Sequence, residues 1–227
     1  MKDAKPFDYS GTEGEAYHER RSLPPEGELW MGRVRAAKIQ PYLKTADKVF
    51  EYGVGFGWNL MALRCAEKIG FDVAPNVRSK AERRGIRFVC NPGDIPTDSI
   101  DVALCHHTLE HLPNPAEALL TLFKLLKCAG RLLLFVPYEF ERKYRRFDPP
   151  SDRAHHLYSW TPRTLANLVQ AQGFRIDSVR LRRFRFDRVA AVAALKLRVG
   201  EVGYRFIRSI GLLLLPEYEI SLVARKA

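Results

Sequence analysis

One feature constrains this chain more than any other: a short apolar stretch that ends in an acid and breaks at once into alternating glycines, Lys48-Val-Phe-Glu-Tyr-Gly-Val-Gly-Phe-Gly57. The apolar part has the length of a buried strand, and glycines at 53, 55 and 57 let backbone approach a ligand where a Cβ would collide. A helix following such a loop offers unpaired N–H groups to the same ligand. The spacing then discriminates between cofactors. A dinucleotide-binding turn places its third glycine one position later, where this chain carries Trp58. Glu51 argues the same way, because a carboxylate at the strand end repels a pyrophosphate but attracts the ammonium of an amino-acid-bearing cofactor, directly or through water. Glycine-rich turns also serve as plain strand-to-helix connections, so the loop needs support from the rest of the chain.

That support begins with alternation. Strand and helix signals follow one another along the chain, the pattern of an α/β domain with a mainly parallel sheet. Residues 1–28 are polar, carry Pro24-Pro25 and read as a partly ordered arm. A helix is expected over 29–43, a strand over 48–52, a helix from Trp58 to about Glu67 and a strand ending near Phe71-Asp72. Pro75 fits the first turn of a helix that continues through Arg78 to Arg84. Strands are expected at Ile86 to Cys90 and Ile100 to Cys105, then a helix from Pro115 through Lys127 that stops at Gly130, and the strand Leu132 to Val136. Thr161-Pro162 caps a helix running to Gln172, and Gly173 closes it. Strand-like segments at Phe174–Arg183 and Tyr218–Arg225 flank an insertion at about 187–215 with two helical stretches, Asp187–Val199 and Gly203–Leu214.

Several segments in order now carry a resemblance. The glycine loop, Phe71-Asp72-Val73-Ala74-Pro75, and Asp98-Ser-Ile-Asp-Val-Ala-Leu-Cys-His-His-Thr-Leu-Glu-His-Leu-Pro-Asn-Pro115 are similar to successive motifs of the class I S-adenosylmethionine (SAM) dependent methyltransferases. Gly130-Arg-Leu-Leu-Leu-Phe-Val-Pro137 resembles the family's fifth strand, and His156-Leu-Tyr-Ser-Trp-Thr-Pro162 and Gln172-Gly-Phe174 resemble the type 11 and type 23 subgroups. The resemblance spans about residues 45 to 183. It implies a doubly wound, Rossmann-like, mainly parallel seven-stranded sheet with an antiparallel last strand, residues 1–44 forming an arm and helix and 45–227 the catalytic domain. It implies SAM as cofactor, held by Glu51, Gly53, Gly55, Gly57, Asp72 and Cys105. Asp72 would accept hydrogen bonds from both ribose hydroxyls, a pairing that suits a carboxylate's two acceptor oxygens. Two departures matter. The loop Asn91-Pro-Gly-Asp94 is shorter than the family's adenine-binding loop, and either Asn91 or Asp94 could receive the adenine amino group. Trp58 replaces the small or polar residue usual beside the glycine loop, so Tyr17, His18 or Arg21 of the arm could anchor the SAM carboxylate.

SAM carries its own activated methyl group, and the protein's part is alignment, with a base where the acceptor is a hydroxyl. Ligands of open parallel sheets bind beyond the carboxyl ends of the strands, which singles out His106, His107 and Tyr138 on the acceptor side. His155 and His156 are further candidates. His107 and His111 stand four apart near Cys105, a spacing that can bind zinc on a helix. Methyl transfer needs no metal and no second ligand pair is evident, so no metal is expected.

Composition sets the remaining bounds. With 227 residues and 46% hydrophobic content the chain can bury a sizeable core. No apolar run approaches the roughly 20 residues that span a bilayer, and Met-Lys-Asp-Ala-Lys-Pro lacks a signal peptide's apolar segment, so a cytoplasmic location is expected, with peripheral membrane contact open. Cys65, Cys90, Cys105 and Cys128 form no Cys-x-x-Cys pair and read as reduced thiols. The net charge is +11, and between Arg175 and Arg208 ten Lys or Arg stand against Asp177, Asp187 and Glu201. A second basic cluster is Arg142-Lys-Tyr-Arg-Arg146. Such charge is a solvated face or meets an anionic membrane, an anionic substrate or RNA. The expected acceptor is a small or lipid-linked molecule. Nucleic acid is less favoured for want of a binding module, and a noncatalytic SAM-fold partner protein is the alternative of a different class. In the insertion, Val189, Val192, Leu195 and Val199 suggest one apolar stripe and Phe206, Ile210 and Leu213 another.

Overall fold

A computed structural model of the chain describes residues 9–139, 155–215 and 217–227. The basic cluster at 142–146 lies outside the described residues. Seven strands form one sheet: β1 (Lys48–Tyr52), β2 (Glu67–Phe71), β3 (Arg87–Val89), β4 (Ile100–His106), β5 (Leu126–Pro137), β6 (Phe174–Phe184) and β7 (Glu217–Lys226). Their order is β3-β2-β1-β4-β5-β7-β6. β1 to β5 pair in parallel, and β7 runs antiparallel to both β5 and β6. The sheet is Rossmann-like, and the order reverses direction at β1 and β4, whose carboxyl ends open the crevice where such folds bind ligands.

The helices are α1 (Thr12–Glu19), α2 (Pro25–Ile39), α3 (Arg78–Glu82), α4 (Pro115–Leu125), α5 (Pro162–Ala171), α6 (Asp187–Leu197) and α7 (Gly200–Leu214). Both faces of the sheet are covered, which is why β5 reads as the unbroken run Leu-Leu-Leu-Phe-Val. Leu132, Leu134 and Val136 pack with Leu119 of α4 and Leu165 of α5. Leu133 and Phe135 point the other way, into a cluster with Ala36 and Ile39 of α2. Thr161 and Thr164 exchange side-chain and backbone hydrogen bonds in a capping box at the start of α5.

The structure corrects three local expectations. No helix follows the glycine loop, and residues 58–62 form turns with a single α-type bond, Met61 N–H to Gly57 C=O at 2.9 Å. The chain then runs directly into β2 at Glu67, where Ala66 and Glu67 N–H both bond to Asp47 C=O. Leu109–His111 is a separate 3₁₀ turn, not the helix that the His107 and His111 spacing presumes, and α4 starts at Pro115 with the Asn114 side chain accepting from Glu117 N–H. α4 ends at Leu125 because Leu126 pairs with Ile100 in the sheet.

The insertion forms a helical hairpin on α2. Ala190, Ala191, Ala194 and Tyr204 bury against Trp30 and Met31, with the Tyr204 and Trp30 rings stacked at 6.0 Å. The expected stripes are placed differently. On α6 the small alanines make the contact, Val192 and Leu195 are partly buried, and Val189 and Val199 are exposed. The second stripe, Phe206, Ile210 and Leu213, faces outward. Among the described residues no helix is long and apolar enough to cross a membrane.

Candidate active site

At the carboxyl end of β1 the chain is drawn into a tight cradle. Gly53 and Val54 N–H both bond to Phe71 C=O, at 2.8 and 2.9 Å, tying the glycine loop to the end of β2. Asp72, the next residue, accepts from Gly55 N–H at 2.7 Å through one oxygen and from Ala74 N–H at 3.0 Å through the other. Each oxygen retains acceptor capacity for a further donor. Glu51 is fully buried, and one of its oxygens accepts from Asn59 Nδ2 while the other has no partner. Burial pushes its carboxyl up to about 8, against the pull of the Asn59 hydrogen bond. An orphaned buried acceptor beside a glycine cradle fits a cofactor that brings an ammonium group.

The arm contributes as well. α1 lies over the loop, with His18 Nε2 3.9 Å from Asp72, Tyr17 edge-on to His18 and the Arg21 guanidinium 3.4 Å above the Tyr17 ring. One Arg21 nitrogen is buried without a partner, and burial lowers this group to about 10. Trp58 instead turns to α2, donating to Glu28 at 3.2 Å. A cavity of about 610 Å³ opens beside the cradle, between residues 91–97 and α4 with the turn before it; Tyr52, Asn91, Ile95 and Leu112 line it, while Glu51, the loop glycines and Asp72 do not. It is within the size range of cofactor pockets. Asn91 lines it and Asp94 does not, although the Asn91 side chain also caps the 3₁₀ turn by accepting from Gly93 N–H. The Cys105 side chain is in the hydrophobic core, where burial raises its thiol.

At the carboxyl end of β4 the two histidines, His106 and His107, stack at 4.5 Å but have different partners. His107 Nε2 is 3.1 Å from Glu219 on β7, and its ring lies against Phe184. His106 Nε2 is 2.8 Å from Lys38 Nζ of α2, which also donates to Glu219 at 2.8 Å. Burial would raise the Glu219 carboxyl, yet Lys38 and His107 hold it down at about 2. It is therefore an anion, and an anion only accepts, so His107 donates to it from Nε2. His106 is the reverse case. Its Nε2 lone pair accepts a hydrogen bond from Lys38 Nζ, and burial followed by Lys38 drives its basicity well down. Tyr138 stands at the same rim, its N–H on Tyr218 C=O at 2.9 Å.

His107 and His111 do not share a helix, because His107 has φ +52° and turns the chain back. They belong to two separate groups, His106, His107 and Glu219, and Glu110, His111 and His156, each with ligating atoms within 4.8 Å. In the first the Lys38 ammonium already fills the cation's place. In the second, burial lowers His111 to about 3 and raises Glu110, His156 pairs with Glu139 at 2.7 Å, and His155 contributes its carbonyl to His111 at 3.4 Å. Lys38 and Glu219 are the residues sequence reasoning missed. The one available signal was a glutamate placed directly before the mostly apolar run Ile220-Ser-Leu-Val-Ala224 of β7.

A family described as "Methyltransferase domain" matches residues 26–179 of the chain, more than half of its length. No curated protein sequence matches. Among solved structures, a SAM-dependent methyltransferase from Archaeoglobus fulgidus superposes with a TM-score of 0.62 at 20% identity, over 95% of this chain and 100% of that one. One from Thermotoga maritima gives 0.63 at 16% identity, over 88% and 92%. Phosphoethanolamine N-methyltransferase 2 of Haemonchus contortus, in complex with phosphomonomethylethanolamine and S-adenosylhomocysteine, gives 0.60 at 13% identity, over 86% of this chain and 52% of that one. At these identities the likeness is one of fold. With the family match over the glycine loop and the strands that follow it, the chain belongs to the methyltransferase-domain family and is a SAM-dependent methyltransferase.

Proposed function

We propose that this enzyme methylates a hydroxyl group on a small or lipid-linked acceptor, with His107 as the base and Glu219 as the group that orients it. The observation that carries the reading is the 3.1 Å contact between His107 Nε2 and the Glu219 carboxylate. A carboxylate or a neutral amine can attack a methyl group without losing a proton first, and a dyad of this kind would be superfluous for either. A hydroxyl benefits from a base. Bound SAM supplies the electrophilic methyl group, while Glu51, the glycine loop and Asp72 would hold it and Asn91 would border its adenine. In this reading Lys38 keeps Glu219 ionised, Glu219 fixes the His107 tautomer, and Nδ1 accepts the acceptor's proton as it is methylated. Labelled SAM offered with lipid, metabolite and RNA fractions tests the proposal. The label is expected in an ether that resists alkali; label found only in alkali-labile esters, in amines or in RNA would defeat it.

The same reading predicts a proton signature. With its carboxyl raised to about 8, Glu51 is largely protonated at pH 7 in the cofactor-free protein. An ammonium brought alongside favours the charged form, so SAM binding should release a proton. Calorimetry at pH 7 in buffers of different ionisation enthalpy should report that release, affinity should rise between pH 6 and 7, and Glu51→Gln should abolish both effects. No proton exchange in the wild-type protein would remove Glu51 from the cofactor's amino group.

A further inference from the structure

We propose that the α6–α7 hairpin docks the enzyme on an anionic lipid bilayer, with the outward face of α7 lying in the headgroup region. The inner face of α7 is settled: Tyr204 is fully buried on Trp30, and Gly211 presses so closely on the Phe186 ring that a Cβ there would lie 2.7 Å from it. At about 100° per residue, Val202, Phe206, Ile210, Leu213 and Leu214 fall on one arc opposite Tyr204. Their exposures run from 40% for Ile210 to 81% for Val202, and Leu197 and Val199 extend the surface around the turn at 65% and 46%. Scattered exposed apolar side chains are ordinary; a contiguous face on an amphipathic helix marks a contact surface.

Charge selects the occupant. Arg188, Lys196 and Arg198 of the hairpin are exposed and make no ion pair among the described residues, and Arg205 on the flank of the apolar arc leans on Glu201. A second copy would bring these cations face to face. An anionic bilayer neutralises them while its acyl boundary takes the apolar arc. The placement also suits the chemistry: Phe184, just before α6, packs on His107, and α6 lies on α2, whose Lys38 meets His106. A docked hairpin would hold the acceptor side of the cleft at the lipid surface. That consequence rests on the acceptor reading above, but docking itself does not.

Flotation with vesicles, without SAM or acceptor, tests it. The protein should float with phosphatidylcholine mixed with phosphatidylglycerol at low salt, stay behind with phosphatidylcholine alone, and be released at high salt. Phe206→Asp/Leu213→Asp and, separately, Lys196→Glu/Arg198→Glu should each weaken binding at least about tenfold. These positions are exposed, so circular dichroism and SAM affinity should be unchanged. Failure to float with the anionic vesicles, or flotation indifferent to both variants, overturns the proposal. So does a dimer in sedimentation that Phe206→Asp dissociates, which would give the face to a second copy. Vesicle binding with no ether product would instead sink the acceptor reading and leave docking standing.

Discussion

Gly55→Val is expected to weaken SAM binding by about a hundredfold or more while the protein still folds. The three loop glycines have different neighbours. A Cβ on Gly53 would sit 2.2 Å from Thr108, and one on Gly57 would sit 2.3 Å from the end of Ile86, so both are pressed against the protein itself. At Gly55 the missing Cβ faces the cleft and would meet only the His18 ring, at 3.4 Å. A valine there fills ligand space. It also strains the backbone, since Gly55 has φ +50°, at a cost of about 1–2 kcal/mol. Gly85 separates the two effects, having φ +73° and nothing within 4 Å of where a Cβ would stand. Gly85→Val should therefore lose similar stability in a urea melt and keep its SAM affinity, with only Gly55→Val losing both. Wild-type affinity in Gly55→Val would mean that the loop is not the cofactor's cradle.

What could be read from the chain alone follows from how local each signal is. β1, the capped α5 and the two long strands β6 and β7 announce themselves through apolar runs, a threonine cap and a closing glycine, all within a few residues. The segment after Gly57 did not, because a helical-looking sequence closes only one α-type bond, Met61 N–H to Gly57 C=O, before β2 starts at Glu67. The spacing of His107 and His111 was equally deceptive, since periodicity presumes helical backbone and His107 adopts the left-handed conformation. Lys38 and Glu219 lie 181 positions apart, and nothing in their neighbourhoods joins them. Only the sheet order, which inserts β7 beside β5 and brings α2 over the rim of β4, makes them partners. The apolar face of α7 was visible as a stripe, but the alanines of α6, which leave that stripe facing out, acquire their meaning only from the packing on α2.

The Lys38, Glu219 and histidine group carries the other large expected effect. His107→Ala should lower kcat by about 10²–10⁴ with a hydroxyl acceptor and leave SAM affinity nearly unchanged, because a base acts on the acceptor's proton and holds no part of the cofactor. His106→Ala should cost far less, since its Nε2 lone pair is engaged by Lys38 at 2.8 Å. Added imidazole should restore part of the His107→Ala rate and none of any loss in His106→Ala. Glu219 needs a paired design. Glu219→Gln alone strands the Lys38 ammonium in a largely buried position, a loss of about 3–5 kcal/mol that would blur any kinetic result. Lys38→Met/Glu219→Gln removes both charges and should recover most of that stability in a urea melt. It should still turn over slowly, because an amide can as readily donate to His107 as accept from it and no longer dictates which ring nitrogen bears the proton. If the double variant regains stability and full turnover together, the ion pair is a packing element of the rim and His107 works without it; if His107→Ala keeps its rate, methyl transfer proceeds without this base.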